Sequence, residues 1–310
     1  MRTSALESTP RLHYDQLMES PYELLLGALE QTASSDAVRW LRGECTRLSR
    51  HFEENPFFFA FSGVSRHFDR NAEVTFPKGT AEVLQRQIPG LCLKHWDEFR
   101  TARTVLIGLL LTLDRPDRLR TLERLTSSAD IRELIAIFGA LPLLPNPEDL
   151  VELARDGLRT NILSVFDAIA LRNPFPERHF TEEGWNQLVL KALFLGRPLH
   201  RVVGLDARAN PALAEAVDYL AHERWSAGRK IPPEAWRCCT GYVTDQIAHD
   251  LERVAASPDR GDREAAALLA VGDTTGRLAP IREALPAECA DVAMGSLTWD
   301  SLGALLATPV

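Results

Sequence analysis

Helix start signals recur along nearly the whole chain, while the period-2 alternation that a sheet requires is almost absent. Ser20-Pro21 precedes "YELLLGALEQ", where a serine cap and a first-turn proline predict a helix start. Asn146-Pro147 and Asn210-Pro211 repeat that device before "EDLVELARDGL" and "ALAEAVDYLAHERWSA", and Gly228 is the expected stop of the latter. Ser35 and Asp36 open "AVRWLRGECTRLSRHF", a cap opens "SADIRELIAIFGAL", Thr160 or Asn161 opens "ILSVFDAIALR" and Thr181 opens "EEGWNQLVLKALFL". "KHWDEFRTARTVLIGLLLTL" is the strongest core helix of the first half; its apolar run is too short to span a bilayer. Only "AEVTF", residues 72–76, reads as a strand. The fold class is therefore all-α, an antiparallel helical stack. Short consecutive helix pairs from about residue 116 to 200 suggest a HEAT-like α-solenoid, although no fixed-period repeat is visible.

The segment "AASPDRGDRE", residues 255–264, is the best linker. It divides a main helical domain, residues 1–254, from an alanine-rich helical extension, residues 255–310, packed on it. A net charge of −8 with no strongly basic run argues against nucleic acid and anionic membranes as partners. The N-terminal "MRTSALESTPRLHYDQL" lacks the apolar stretch of a signal peptide, and the five cysteines are irregularly spaced. Both features point to reduced thiols in the cytoplasm. The adjacent Cys238 and Cys239 read as packing residues.

Chemistry-bearing residues concentrate between positions 172 and 229, where eight basic side chains meet seven acidic ones. "DYLAHERWSAGR" opens like the His-Glu-x-x-His zinc signature, but Ser226 stands where the second histidine belongs. No zinc-ribbon cysteines, phosphate loop or dinucleotide fingerprint occurs, so neither a metal nor a cofactor is expected. Asp218 and His222 are four apart and can form an acid–base dyad, with Glu223 as a further proton carrier; an exposed i,i+4 pair is the plainer alternative. On a wheel of ~100° per residue, Arg224 falls on the Leu213–Val217–Leu220 stripe and calls for a carboxylate or carbonyls as partners, with a carboxylate expected. Lys191 and Asn186 lie on a helix that is apolar nearly all round, together with Trp185. Asp206 and Arg208 sit in the intervening loop as partners for Arg224 or Lys191. Asn161 and Arg172 flank one edge of the preceding helix, which ends at Asn173 before Pro174. With Tyr219 and Trp225 as apolar walls, these groups form the candidate binding set for a small anionic or polyhydroxylated metabolite.

"FDAIALRNPFP", "WNQLVLKALFLGRPL", "GLDARANPALA" and "DYLAHERWSAGR" closely resemble the signature stretches of EboA-domain proteins. The resemblance is strong from about Leu141 to Trp236 and fainter at "FFFAFSGVSRHFDR" and "TWDSL". It implies a cytoplasmic helical accessory protein of secondary metabolism. Such a protein binds a small polar metabolite, supports its biosynthesis or traffic, and works with other proteins of its gene cluster, without membrane insertion. The residues themselves leave two alternatives: an enzyme of acid–base chemistry (cyclisation, isomerisation or hydrolysis), and a non-catalytic scaffold whose polar groups only hold helices together.

Overall fold

In a computed structural model, residues 20–306 are described, and they form an all-α protein. The N-terminal stretch, residues 1–17, lies outside the described residues. The chain divides into two compact units, one running to Ile169 with Asn173–Phe175 added, the other comprising Ala170–Arg172 and everything from Pro176 onward. Residues 255–306, which the linker reading sets apart, fall within the second unit.

The first unit carries α1 (Pro21–Thr32), α2 (Ser35–Arg50), α3 (Glu54–Gly63), α4 (Lys78–Gln87), α5 (Glu98–Ile107), α6 (Arg115–Ser128), α7 (Ile131–Ala140) and α8 (Pro147–Leu158). Helices α9 (Leu163–Ala170) and α10 (Phe175–His179) each contain a boundary of the division. The Ser20 side chain caps α1 through the Glu23 amide, and Ser34 caps α2. Asp130 and Glu133 close a capping box at α7. "AEVTF" forms no strand. It contributes a single antiparallel bridge between Glu73 and Asp97, closed by hydrogen bonds from Val74 N to Trp96 O and from Glu98 N to Ala72 O. The alternation is too brief to extend a ladder once α5 begins at Glu98.

Helix α5 packs against α1 and α7, and all its residues except Arg100 are buried. Its charges are therefore partnered inside the unit. Glu98 accepts from the Asp69 amide at 2.8 Å. The Arg103 guanidinium, 1% exposed, donates to Phe61 O at 3.2 Å, lies 3.7 Å from the Glu133 carboxylate and sits over the Phe61 and Phe99 rings. Arg100, half-buried, lies 4.2 Å above the Trp96 ring, and its loss of hydration there pulls its pKa down to about 10.

The second unit carries α11 (Glu182–Phe194), α12 (Pro211–Ser226), α13 (Asp245–Ala255), α14 (Arg260–Gly272), α15 (Ala279–Ala284), α16 (Pro286–Ala293) and α17 (Trp299–Leu306). Small residues let α14 seat deeply: Ala265, Ala266, Ala267 and Ala270 are wholly buried where it meets α13, α16 and the 3-10 turn at residues 233–239. Cys238 and Cys239 are fully buried in that turn, and the five cysteines form no disulfide. Burial pushes the Cys238 thiol up to about 12. Arg237 binds both carboxylate oxygens of Asp206 at 2.7 Å and reaches Asp300 of α17 at 2.8 Å. Gly204 adopts a φ of +80°, and a Cβ there would collide with the Glu177 side chain.

These contacts set the expected stability of three variants. Arg103→Ala should cost about 3 kcal/mol, because Glu133 keeps its buried charge without its cation. Arg39→Ala, at an exposed pair with Asp36, should cost less than ~1 kcal/mol. Urea midpoints of the two variants check the contrast. Gly204→Ala should lower stability by ~1 kcal/mol or more, since an L residue resists that left-handed backbone and the new methyl strikes Glu177; a thermal unfolding temperature equal to wild type would refute it.

Candidate functional site

Helix α12 starts at Asn210, whose buried side-chain oxygen accepts from Leu213 N at 2.9 Å. Its amide pairs reciprocally with Asn186 of α11, at 3.1 and 2.9 Å. Launched this way, α12 buries Leu213, Ala214, Val217 and Ala221. Asp218 lies at the edge of that face, and His222 is one turn further on. Helix α13 is capped by Thr244 and buries Ile247, Leu251 and Val254, with Asp250 also on the buried side.

Asp218, His222 and Asp250 come together where α12 and α13 meet. Their nearest ligand-type atoms all lie within 4.8 Å of one another. His222 Nε2 is 2.8 Å from Asp250 Oδ2, and Gln246 Nε2 donates to the same oxygen at 2.8 Å. Asp250 is buried, while His222 is half exposed. Asp218 Oδ1 is sealed from solvent without a hydrogen-bond partner. Burial, reinforced by the Asp250 charge, pushes Asp218 up to about 6, and His222 offsets only part of this. Burial also acts to raise Asp250, yet the bonds from Gln246 and His222 hold it below the ordinary carboxylate range. Two neighbouring carboxyls are thus driven apart in acidity, as in acid–base pairs.

The cluster opens on a cleft of about 630 Å³. Glu215, Asp218, His222, Thr244 and Gln246 give it polar walls, and Tyr219 and Tyr242 give it aromatic ones. A second cleft, of about 550 Å³, lies at the C-terminal ends of α12 and α13 and is lined by Trp225, Arg229, Lys230 and Arg253. Trp225 links the two neighbourhoods: its ring meets His222 edge-on at 5.5 Å, and the Arg253 guanidinium lies 4.4 Å from its centre.

Of the residues singled out from sequence, the first cleft gathers Asp218, Tyr219 and His222, and the second takes Trp225. The rest go elsewhere. His222 pairs with Asp250 of α13, so the local dyad with Asp218 becomes a three-residue cluster. Glu223 is exposed and lines neither cleft. Arg224 is half-buried and donates to Lys230 O at 2.6 Å, not to a carboxylate. It stands in the last turn of α12, where the covering wall ends and the chain folds back through Gly228. Asp206 is held by Arg237. Arg208 binds the carbonyls of Pro176, Glu177 and Phe180 and lies 5.1 Å from the wholly buried Trp185 ring. Asn186 is engaged with Asn210, and Lys191 is half-buried on α11; neither lines either cleft. Asn161 is exposed before α9, and Arg172 follows it in a left-handed conformation (φ 55°), so the two do not share a helix edge. Asn173 is buried and donates to Phe138 O and Ala168 O. Sequence reasoning missed Glu215, Tyr242, Thr244, Gln246 and Asp250. The available signal was Asp250 itself, a carboxylate beside the Ile247–Leu251–Val254 stripe.

Among the described residues no helix is long and apolar enough to cross a membrane. Comparison with curated proteins and with solved structures returns no match. The model of one protein family, described as "Metabolite traffic protein EboA", matches residues 22–240, more than half of the chain, from the second residue of α1 to beyond the end of α12. On that match, the chain belongs to the EboA family.

Proposed function

We propose that the cleft between α12 and α13 is a metabolite site, and that the protein binds a small polyhydroxylated or amine-bearing molecule in order to support its traffic or biosynthesis. The observation that carries this reading is the cleft's lining: Glu215, Asp218 and His222 with Thr244 and Gln246, flanked by two tyrosine rings and without a lysine or arginine. Carboxylates accept hydrogen bonds from hydroxyl and ammonium groups, and tyrosine faces cover the apolar side of a sugar-like ring. An anionic ligand, which the sequence equally suggests, is disfavoured there by the carboxylates. The family description supports the traffic role. On this reading the protein works in the cytoplasm, beside other proteins of its gene cluster, on a polar intermediate of secondary metabolism.

A second reading, acid–base catalysis on the same intermediate, draws support from the divergent acidities of Asp218 and Asp250. Asp218 then serves as acid, and the Asp250–His222 pair as base.

Thermal-shift titration with a neutral polyol (myo-inositol), an amino sugar (glucosamine) and a sugar phosphate (glucose 6-phosphate) tests the binding reading. Saturable stabilisation by the polyol or the amino sugar, lost in Asp218→Asn and Tyr242→Ala, is the expected result. Stabilisation by the sugar phosphate alone, or shifts that survive both substitutions, would refute it. If a bound ligand is chemically changed by the wild type, and Asp218→Asn still binds it but leaves it intact, the catalytic reading replaces the carrier one.

A further inference from the structure

We propose that Asp218, His222 and Asp250 form a binding site for a divalent transition-metal ion, with open coordination positions facing the cleft. The sequence argues against a metal, because Ser226 breaks the zinc-protease signature in the direction of the C-terminus. The same i,i+4 chelating geometry is available in the other direction. Asp218 and His222 are four apart on α12, so one helix presents a carboxylate and an imidazole side by side. Helix α13 supplies the third donor, Asp250. All three donor atoms already lie within 4.8 Å of one another, and small movements of the half-exposed His222 bring them onto one ion.

Three further observations point to a cation. Asp218 Oδ1 is shielded from solvent and has no hydrogen-bond donor, an arrangement that is costly unless a positive partner completes it. Among the described residues no lysine or arginine pairs with Asp218 or Asp250, so two clustered carboxylates face one imidazole. Gln246 donates to Asp250 Oδ2 from one helical turn away and orients that carboxylate, as outer partners of metal-binding carboxylates do. The donor set decides the class of ion. One nitrogen and two carboxylates suit zinc, manganese, iron or cobalt, whereas calcium and magnesium favour all-oxygen shells. Three protein donors leave positions vacant, the pattern of sites that engage a substrate. Those positions face the cleft of about 630 Å³, where adjacent hydroxyls of a ligand can reach the ion. The metal site itself requires no metabolite, so the two proposals stand or fall separately.

Full-length protein stripped with a chelator and titrated with Co²⁺ alone, with no metabolite present, tests the site. Visible cobalt absorption should grow and saturate at one ion per chain, and Zn²⁺ should abolish it by displacement. His222→Gln and Asp250→Asn should weaken binding at least tenfold, and Gln246→Ala about tenfold. Glu223→Gln, at an exposed neighbour, should change nothing. His222 is half exposed, so its variant should keep the wild-type circular dichroism spectrum and remain informative if Asp250→Asn fails to fold. No saturable cobalt absorption, or absorption equal in wild type and His222→Gln, would overturn the proposal by leaving only scattered surface histidines as ligands.

Discussion

The second unit depends on one buried amide. Asn210 Oδ1 caps α12 and accepts from Asn186, while its Nδ2 donates to Asn186 and to Arg208 O at 3.1 Å. A buried carboxamide is costly unless its donors and acceptor are engaged, so this arrangement tolerates little rotation. It therefore fixes the phase of α12 against α11. A helix rotated by one residue, ~100°, would carry Asp218 and His222 away from Asp250, and the cluster facing the cleft would not exist.

Much of the polar material between residues 172 and 229 serves as struts. Arg208 satisfies carbonyls around α10 while lying over Trp185, and Asp206 shares Arg237 with Asp300. Asn173 and Arg103 play comparable parts in the first unit, each tied to backbone carbonyls of its surroundings. A buried guanidinium or amide draws the same attention in a sequence whether it holds a ligand or a loop, because the demand for partners is identical. In this protein most of that demand is met by backbone carbonyls and by neighbouring carboxylates.

The two clefts beside α12 and α13 differ in sign, and the reason lies in chain order. Asp218 and Glu215 stand in the middle turns of α12, so the first cleft is acidic. The return loop after α12 brings Arg229 and Lys230 to the helix ends, where Arg253 joins them, so the second is basic. Cations at helix C-termini are favoured by the carbonyl dipoles. The Trp225 ring, in contact with both His222 and Arg253, connects the two charge regimes.

Fold class and helix starts were legible from local chemistry. Serine, threonine, asparagine and proline act on backbone groups within one turn of themselves, so Ser20, Thr181 and Asn210 announce α1, α11 and α12 without any tertiary information. The short alternation at residues 72–76 misled because strand pairing is non-local, and only one bridge partner was present. Asp218, Tyr219 and His222 stood out because they share one helix, whose periodicity a sequence displays. Arg224 was misassigned by the same wheel, which cannot show where the covering wall of a helix ends. Asp250 and Gln246 stayed hidden because nothing in the sequence says which face of α13 meets which face of α12; that is decided by packing, through the buried stripes of both helices and the amide that sets the rotation of one of them. The sequence by itself determined which segments become helices and which residues carry charge. Only the tertiary structure decided which charges meet, because side-chain periodicity is local and Asp250 comes to Asp218 and His222 from 28 or more positions away.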